Sequence, residues 1–264
     1  MSDHTKIQKL SLREHVLHSP DTYIGSADMQ TTEMWILEND ESMKKKIVSY
    51  IPGEFKLFDE ILVNAGDQYV RCEEDKDDTI HKVKNIKINV DQENGIISVY
   101  NDGEGISSEI HPKEKKHIVE LIFANLLTSE NYNKAEIKHV GGKNGYGAKL
   151  TNIYSSYFKV ETIDSKNSKK YVQIFEDNMT KINKPKITKC SKNPYTKITY
   201  KTDYTKLNTD KLTDDMVDLI KKRVYDLSAY TNSRVNIYYN DKKINVKNFN
   251  KYVDLYIGNK KDND

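Results

Sequence analysis

The chain has 264 residues, which is enough for one large domain or two small ones with a well-buried core. Hydrophobic residues make up 36% of it and charged residues 31%, a composition that excludes an intrinsically disordered chain. The net charge of +2 gives no reason to expect a surface dedicated to nucleic acid or membrane, and no apolar run approaches the roughly 20 residues that cross a bilayer.

The predicted elements of the first half alternate between helices and strands. Residues 1–12 are polar and without clear periodicity, so we expect an N-terminal arm there. Apolar residues at helical spacing predict a helix over 55–69 and a second one over 118–127. Runs rich in β-formers at 85–90 and 96–100 are separated by an Asn-Gly turn, which predicts a β-hairpin.

The second half opens with a polar, glycine-rich segment over 128–147, which predicts a long loop. A structureless loop of about 20 residues inside a domain often covers a binding site. The same patterns predict helices at 148–154 and 214–229, strands at 157–163, 170–175 and 197–201, and a hairpin with strands at 235–239 and 244–246. Successive hairpins indicate a mixed, mostly antiparallel sheet, so we predict an α+β fold with helices covering one face of the sheet.

The predicted helix over 55–69 carries two polar residues on one face. Glu60 and Asn64 are four residues apart, so their side chains lie one above the other, opposite the apolar residues. A carboxamide oxygen suits a hard cation such as Mg²⁺, and a carboxylate can accept a proton from water. An ordinary solvated helix face is the alternative interpretation of this segment taken alone.

The string NDGEGI at 101–106 directly follows the second strand of the predicted hairpin. Asp102 would stand at the end of that strand, backed by glycines, with its carboxylate facing open space. Such a carboxylate could accept a hydrogen bond from the exocyclic amine of adenine. The alternative is a plain turn, because Asn-Asp-Gly is common turn chemistry.

Four glycines and two lysines lie between Gly141 and Lys149, where the next predicted helix begins. Glycines allow backbone N–H groups to approach an anion, and a helix N-terminus adds partial positive charge. The side chains of Lys143 and Lys149 add full charges, so the segment predicts a phosphate-binding loop. It contains neither the Walker A string nor the dinucleotide-binding fingerprint, and a flexible loop without a ligand remains the alternative.

The order of these three segments resembles that of the GHKL ATPases, which include gyrase B subunits, chaperones, mismatch-repair ATPases and histidine kinases. Four strings are further similar to eukaryotic-type DNA topoisomerase II, a type IIA enzyme: SPDTYIG at 19–25, FDEILVNA at 58–65, LLTSENY at 126–132 and NGYGAK at 144–149. Residues 249–256 resemble the end of that family's ATPase module. The resemblance extends from about residue 8 to residue 258.

This resemblance implies a GHKL (Bergerat) fold, a two-layer sandwich of a mostly antiparallel sheet and helices. The ATPase domain would occupy 13–258, after the arm at 1–12, and a tail at 259–264 would lead to an absent transducer domain. Glu60 would be the general base, and Asn64 would bind Mg²⁺ and the phosphates of ATP. Asp102 would accept the adenine hydrogen bond. The other implied contacts with ATP are Gln68, Ile106, Ser129, Glu130, Asn131, Gly142, Lys143, Asn144, Gly145, Tyr146, Gly147, Ala148 and Lys149.

The resemblance also implies partners and a place of action. ATP would drive homodimerisation, and the full-length parent would act on DNA, with no role for a membrane. The polar residues 1–8 show no signal peptide, and Cys72 and Cys190 fit neither a disulfide framework nor a metal cluster. We therefore expect an intracellular protein, in the nucleus of a cellular eukaryote or otherwise at a viral or cytoplasmic site of DNA replication.

In the resembling family a second domain lends a lysine from a Gln-Thr-Lys loop to the γ-phosphate, and this chain stops at Asp264, before that domain would begin. We therefore expect the chain to bind ATP and Mg²⁺ but to hydrolyse ATP slowly. Three other interpretations stay open on the sequence alone. They are another GHKL enzyme such as a chaperone or mismatch-repair ATPase, a nucleotide-gated interaction module, and a ligand-free lysine-rich domain.

Overall fold

A computed structural model gives the fold and describes residues 9–39, 42–77, 79–126 and 145–258. Residues 1–8 of the predicted arm and the predicted tail at 259–264 lie outside the described residues. The described helices are α1 (Leu12–His18), α2 (Pro20–Tyr23), α3 (Pro52–Glu74), α4 (Ile118–Ala124), α5 (Gly147–Ile153), α6 (Asp214–Tyr230) and α7 (Phe249–Ile257).

The strands fall into a small hairpin and one large sheet. The hairpin pairs β1 (Gln30–Glu38) with β2 (Ser42–Tyr50). The large sheet consists of β3 (Asn85–Asp91), β4 (Ile96–Asp102), β5 (Ser155–Asp164), β6 (Lys169–Glu176), β7 (Lys181–Ile182), β8 (Lys186–Lys189), β9 (Tyr195–Thr202), β10 (Asn236–Tyr239) and β11 (Lys242–Lys243).

The large sheet has the order β11-β10-β3-β4-β9-β5-β6-β7, and β8 pairs with β6 as well. All its described pairings are antiparallel except that of β10 with β3. Burial alternates along the strands, as in β4, where Ile97, Val99 and Asn101 are buried and their neighbours are half-buried. One face therefore packs on helices while the other meets solvent. The predicted two-layer α+β fold with a mostly antiparallel sheet is confirmed.

The helix α3 forms because Pro52 fits the first helical turn and apolar residues recur at helical spacing, so that Leu57, Phe58, Ile61 and Leu62 are buried. It contacts both α5 and α6. This element was predicted over 55–69, and the structure extends it at both ends.

Two buried hydrogen bonds fix α5 against its neighbours. The hydroxyl of Thr151 donates to the carbonyl of Leu57 in α3 at 2.9 Å. The carboxamide of Asn152 donates to the carbonyl of Phe123 in α4, also at 2.9 Å. Because both donors are buried, breaking either bond would leave an unpaired polar group, so α5 is held in one position.

Several elements differ from the sequence-based expectation, since α1, α2, β7 and β8 were not predicted. The hairpin of β1 and β2 was not predicted either, because half of its side chains are exposed and the apolar alternation typical of a strand is missing. The final hairpin was predicted with a second strand at 244–246, but Asn240 and Asp241 adopt positive φ angles of 44° and 61° and close a two-residue turn. Pairing therefore resumes at Lys242, opposite Tyr239.

The buried carboxyl group of Glu54 lies in the first turn of α3. It is 4% exposed, and its Oε1 atom has no hydrogen-bond partner among the described residues. Burial raises its pKa from 4.5 to about 8. Burial also raises the pKa of the phenols of Tyr200 and Tyr204, and the charge of Glu54 contributes to both shifts. Glu54 is therefore a neutral acid inside the folded protein at neutral pH.

This neutral acid makes stability depend on pH. Its folded-state pKa lies above the unfolded value, so between about pH 5 and 8 the native state holds a proton that the unfolded state has lost. Its contribution is full below pH 4.5 and is lost as the pH rises, at about 1.4 kcal/mol per pH unit. We expect Glu54→Gln to remove this slope, which urea unfolding at pH 5.5 and 7.5 would measure. The exposed Glu93→Gln is the control, and parallel pH profiles for Glu54→Gln and the parent chain would contradict the prediction.

Candidate active site

A cavity of about 1310 Å³ lies between α3, the loop after β4, α4 and the start of α5. Apolar side chains line part of it, among them Val99 of β4, Ile198 of β9 and Ile118 of α4. Cavities that hold small molecules combine such walls with a few placed polar groups. The volume that the described residues enclose is ample for a nucleotide.

The polar face of α3 forms one wall of this cavity. Glu60, Asn64 and Gln68 follow one another at four-residue intervals, and all three line the cavity. The predicted placement of Glu60 and Asn64 on one exposed helix face is therefore confirmed. An ion pair joins Oε1 of Glu60 to Nζ of Lys56, one turn earlier. Gln68 donates a hydrogen bond of 3.0 Å to the carbonyl of Glu104.

Asn64 differs from its two neighbours on this wall. It is exposed, and its carboxamide makes no hydrogen bond with any of the described residues. Within the same residues, no group of three or more His, Cys, Asp or Glu side chains could hold a metal ion by itself. A cation at this wall would therefore take most of its ligands from a bound molecule or from water.

The start of α5, which packs against α3, also lines the cavity. Gly147, Ala148 and Lys149 line the cavity together with Gly145 and Tyr146, as predicted for this segment. A Cβ atom at Gly147 would overlap the carboxylate of Glu60. A side chain at this position would force the carboxylate to move, so glycine lets the first turn of α5 approach Glu60 with the carboxylate in place.

Lys149 is the buried cation of the site, with 2% of its surface exposed. Its Nζ atom donates a hydrogen bond of 2.6 Å to the carbonyl of Gly145. Burial lowers its pKa from 10.5 to about 8, because an ammonium group loses hydration when it leaves water. An anion bound in the cavity would restore favourable interactions for the charged form.

The prediction that the carboxylate of Asp102 faces open space is wrong. Asp102 does not line the cavity, and its two carboxylate oxygens already accept hydrogen bonds at the start of β3. Its Oδ1 accepts from the backbone N–H groups of Lys84 and Asn85 at 2.7 and 2.8 Å, and its Oδ2 accepts from the side chain of Asn85 at 2.6 Å. Successive side chains of a strand point to opposite faces, so Asp102 lies on the face away from the cavity.

Asn101, the residue before Asp102, lines the cavity instead. It is 6% exposed and donates from Nδ2 to the carbonyl of Asp102 at 3.0 Å. Its Oδ1 atom has no hydrogen-bond partner within the described part of the chain. The sequence carried a signal for this position, because Asn101 continues the two-residue period of Ile97 and Val99 on the core face.

A second residue that the sequence analysis missed is Thr196 of β9. It pairs with Asn101 in the register of β4 and β9 and also lines the cavity. Its hydroxyl lies 3.1 Å from that of Thr162, which in turn accepts a hydrogen bond of 3.0 Å from the backbone N–H of Ile106. Ile106 was predicted to contact the ligand and does line the cavity. No local motif marks Thr196, because only strand pairing brings it to this site.

Several predicted contacts cannot be placed. Those that lie outside the described residues are Ser129, Glu130, Asn131, Gly142, Lys143 and Asn144.

Of the helices that the structure does describe, none is long and apolar enough to span a bilayer.

Comparison with known proteins finds relatives named DNA topoisomerase 2. No family model matches the chain. It is 50% identical over 252 residues to DNA topoisomerase 2 of Meyerozyma guilliermondii and 47% identical over 256 residues to DNA topoisomerase 2 of Acanthamoeba polyphaga mimivirus. Each match covers 95% of this chain but only 17% and 20% of those proteins, so the chain spans a fifth or less of their length.

Solved structures give the same result. The ATPase region of Saccharomyces cerevisiae topoisomerase II matches with a TM-score of 0.91 and 45% identity, over 97% of this chain and 66% of that one. The ATPase and transducer domains of Balamuthia mandrillaris DNA topoisomerase II match with a TM-score of 0.89 and 38% identity, over 97% and 64%. The ATPase domain of Thermus thermophilus gyrase B, at 18% identity and a TM-score of 0.59 over 88% of this chain and 49% of that one, shares the fold. The chain therefore belongs to the type IIA DNA topoisomerases and has the GHKL fold of their ATPase region.

Proposed function

We propose that this chain binds ATP with Mg²⁺ and hydrolyses it, and that in the longer protein this reaction drives ATP-dependent dimerisation and the passage of one DNA segment through another. The observation that carries the proposal is that a single cavity is lined by Glu60 and Asn64 of α3, Lys149 of α5 and Asn101 of β4 together with apolar side chains. The likeness to topoisomerase II ATPase regions supports this function over that of a chaperone or a mismatch-repair ATPase.

The adenine ring would lie at the end of the cavity formed by β4 and β9. Val99 and Ile198 give this end apolar walls, which suit a flat aromatic base. The exocyclic amine of adenine would donate a hydrogen bond to Oδ1 of Asn101, the acceptor that has no partner among the described residues. The hydroxyl of Thr196, directly across the strand pair, is close enough to join this polar end of the site.

The phosphates would lie between α3 and the start of α5. The ammonium group of Lys149 and the closely approaching backbone at Gly147 can meet negative charge there. Asn64 fits Mg²⁺ because its carboxamide oxygen is exposed and makes no hydrogen bond within the described residues. Protein sites commonly give Mg²⁺ one or two oxygen ligands and leave the others to phosphates and water. When bound, Mg²⁺ would neutralise charge on the phosphates.

Glu60 would act on the water that attacks the γ-phosphate. Its carboxylate lies against Gly147, in the first turn of α5. It would accept a proton from the water as the new P–O bond forms, and the bond between the γ-phosphorus and the ADP oxygen breaks. The ion pair with Lys56 restrains the carboxylate, so its direction is set before ATP binds.

The first prediction separates catalysis from binding. Glu60→Gln keeps the size and polarity of the side chain but removes the base, so we expect phosphate release to fall at least about 100-fold. Affinity for ATP, measured by isothermal titration calorimetry, should change little, because the amide retains the contacts of the cavity wall. Glu73→Gln, at an exposed position of the same helix, is the matched control. Loss of ATP affinity in Glu60→Gln would show that Glu60 is needed for the structure of the site.

The second prediction tests whether Asn101 or Asp102 contacts adenine. Asn101→Ala removes the proposed acceptor for the adenine amine, so we expect ATP affinity to fall about tenfold and the preference for ATP over GTP to narrow. Asp102→Ala should leave ATP affinity within about twofold but lower the melting temperature, because the N–H donors of Lys84 and Asn85 lose their acceptor. Calorimetric titration with ATP and GTP, together with thermal unfolding, measures both effects. The opposite pattern would show that Asp102, and not Asn101, accepts the hydrogen bond from adenine.

A further inference from the structure

The face of the large sheet that lies opposite the helices carries a row of lysines and tyrosines. The strand registers align Tyr238 of β10 with Lys87 of β3, Lys87 with Tyr100 of β4, and Tyr100 with Lys197 of β9. Residues directly opposite one another on neighbouring strands project to the same face. Lys87 is exposed and the other members of the row are half-buried, whereas their neighbours Ile86, Val99 and Ile198 are buried in the core.

These side chains hold one another in place. Nζ of Lys87 lies 5.8 Å from the ring centre of Tyr100 and 5.2 Å from that of Tyr238. The rings of Tyr100 and Tyr195 are 5.3 Å apart, and Nζ of Lys170 lies 5.9 Å from the ring of Tyr195. Such cation–π and ring contacts position charged groups without neutralising them. We call this surface the lysine–tyrosine face: Lys87, Tyr100, Lys170, Tyr195, Lys197 and Tyr238.

The acidic groups on this face already have partners. Glu161 forms ion pairs with Lys159 at 2.9 Å and with Lys170 at 3.2 Å. The carboxylate of Asp102 accepts hydrogen bonds from backbone and side-chain N–H groups at the start of β3. In contrast, Lys87 and Lys197 make no ion pair within the described residues. Lys186 of β8 makes none there either; it pairs with Val172 on the same side of the sheet, so we count it as part of the lysine–tyrosine face. The unpaired charge of this face is therefore positive.

The shape of the face favours a rigid partner with many negative charges. Five strand spacings separate β10 from β6, which gives a width of about 24 Å at about 4.8 Å per spacing. A DNA duplex of this length presents phosphates of about seven base pairs. Lysine ammonium groups and tyrosine hydroxyls are the kinds of donor that contact phosphates without reading sequence. Proteins that bind single strands use grooves with open aromatic faces, whereas Lys87 and Lys170 lie over the rings here.

We propose that the lysine–tyrosine face binds the phosphate backbone of duplex DNA without sequence preference. The nucleotide cavity lies on the other side of the same sheet, because Tyr100 and Asn101 are consecutive residues of β4 and project to opposite faces. The proposal rests on the proposed role in DNA topology and deepens it by naming a surface that contacts DNA. Its test measures DNA binding without nucleotide, so its outcome is independent of ATP hydrolysis.

The experiment measures fluorescence anisotropy of a labelled 20-base-pair duplex with the whole chain, over a series of salt concentrations. The test variant combines Lys87→Gln, Lys186→Gln and Lys197→Gln. The matched control combines Lys44→Gln, Lys45→Gln and Lys46→Gln, which removes the same charge from β2. If each of the first three lysines meets one phosphate, the slope of log K against log salt should become shallower by about 2.7, and affinity at low salt should fall at least about tenfold. The control should keep the slope of the parent chain.

A second variant distinguishes loss of the positive charges from loss of folding as the cause of weaker binding. Replacing the same three lysines by arginine keeps the charges and the phosphate-binding chemistry, so duplex affinity should stay near that of the parent chain. Equal losses in the glutamine test variant and in its control would overturn the proposal, since they would reflect net charge alone. No loss in the test variant would overturn it as well. Tighter binding of a single-stranded 20-mer, lost in the test variant, would replace the duplex by a single strand.

Discussion

The close packing of α5 on α3 is the contact on which the rest of the site depends. The carboxylate of Glu60 occupies the space in which any side chain at position 147 would lie. The hydroxyl of Thr151 and the carboxamide of Asn152 tie α5 to two neighbouring helices by buried hydrogen bonds. The parts of the cavity that carry Glu60 and Lys149 therefore belong to packed helices, and the separation between these two residues is set by the core. A site built in this way needs no rearrangement of its walls to bring the carboxylate of Glu60 and the ammonium group of Lys149 together.

The sequence allowed a correct prediction wherever one periodicity decided the structure. The apolar positions of α3 repeat at helical spacing, and this alone placed Glu60 and Asn64 on a common face. The same reasoning failed at the end of β4, where Asp102 was treated as a free strand-end carboxylate. The alternation begun by Ile97 and Val99 assigns the cavity to Asn101 instead, and one residue of offset exchanges the two faces. The sequence could therefore identify the right tripeptide but, without the register, not the right side chain.

Other features could not be predicted because they depend on distant parts of the chain. Thr196 reaches the cavity only because β9 pairs with β4, almost a hundred residues away in sequence. The hairpin of β1 and β2 shows little local alternation, and contacts with α6 and α7 hold it in place. The aligned lysines and tyrosines on the open sheet face come from strands that are far apart in the chain. That these side chains lie close together can be recognised only once the strand order is known.

Burial of Lys149 has a thermodynamic consequence for the binding of an anion. With a pKa near 8, this ammonium group gives up part of its proton population at mildly alkaline pH. A polyanion beside it favours the charged form, so binding must be accompanied by proton uptake from the solvent. The protons come from the buffer, and the heat of binding therefore contains the buffer's ionisation enthalpy. Two buffers of equal pH but different ionisation enthalpy would then give different apparent heats for the same binding event.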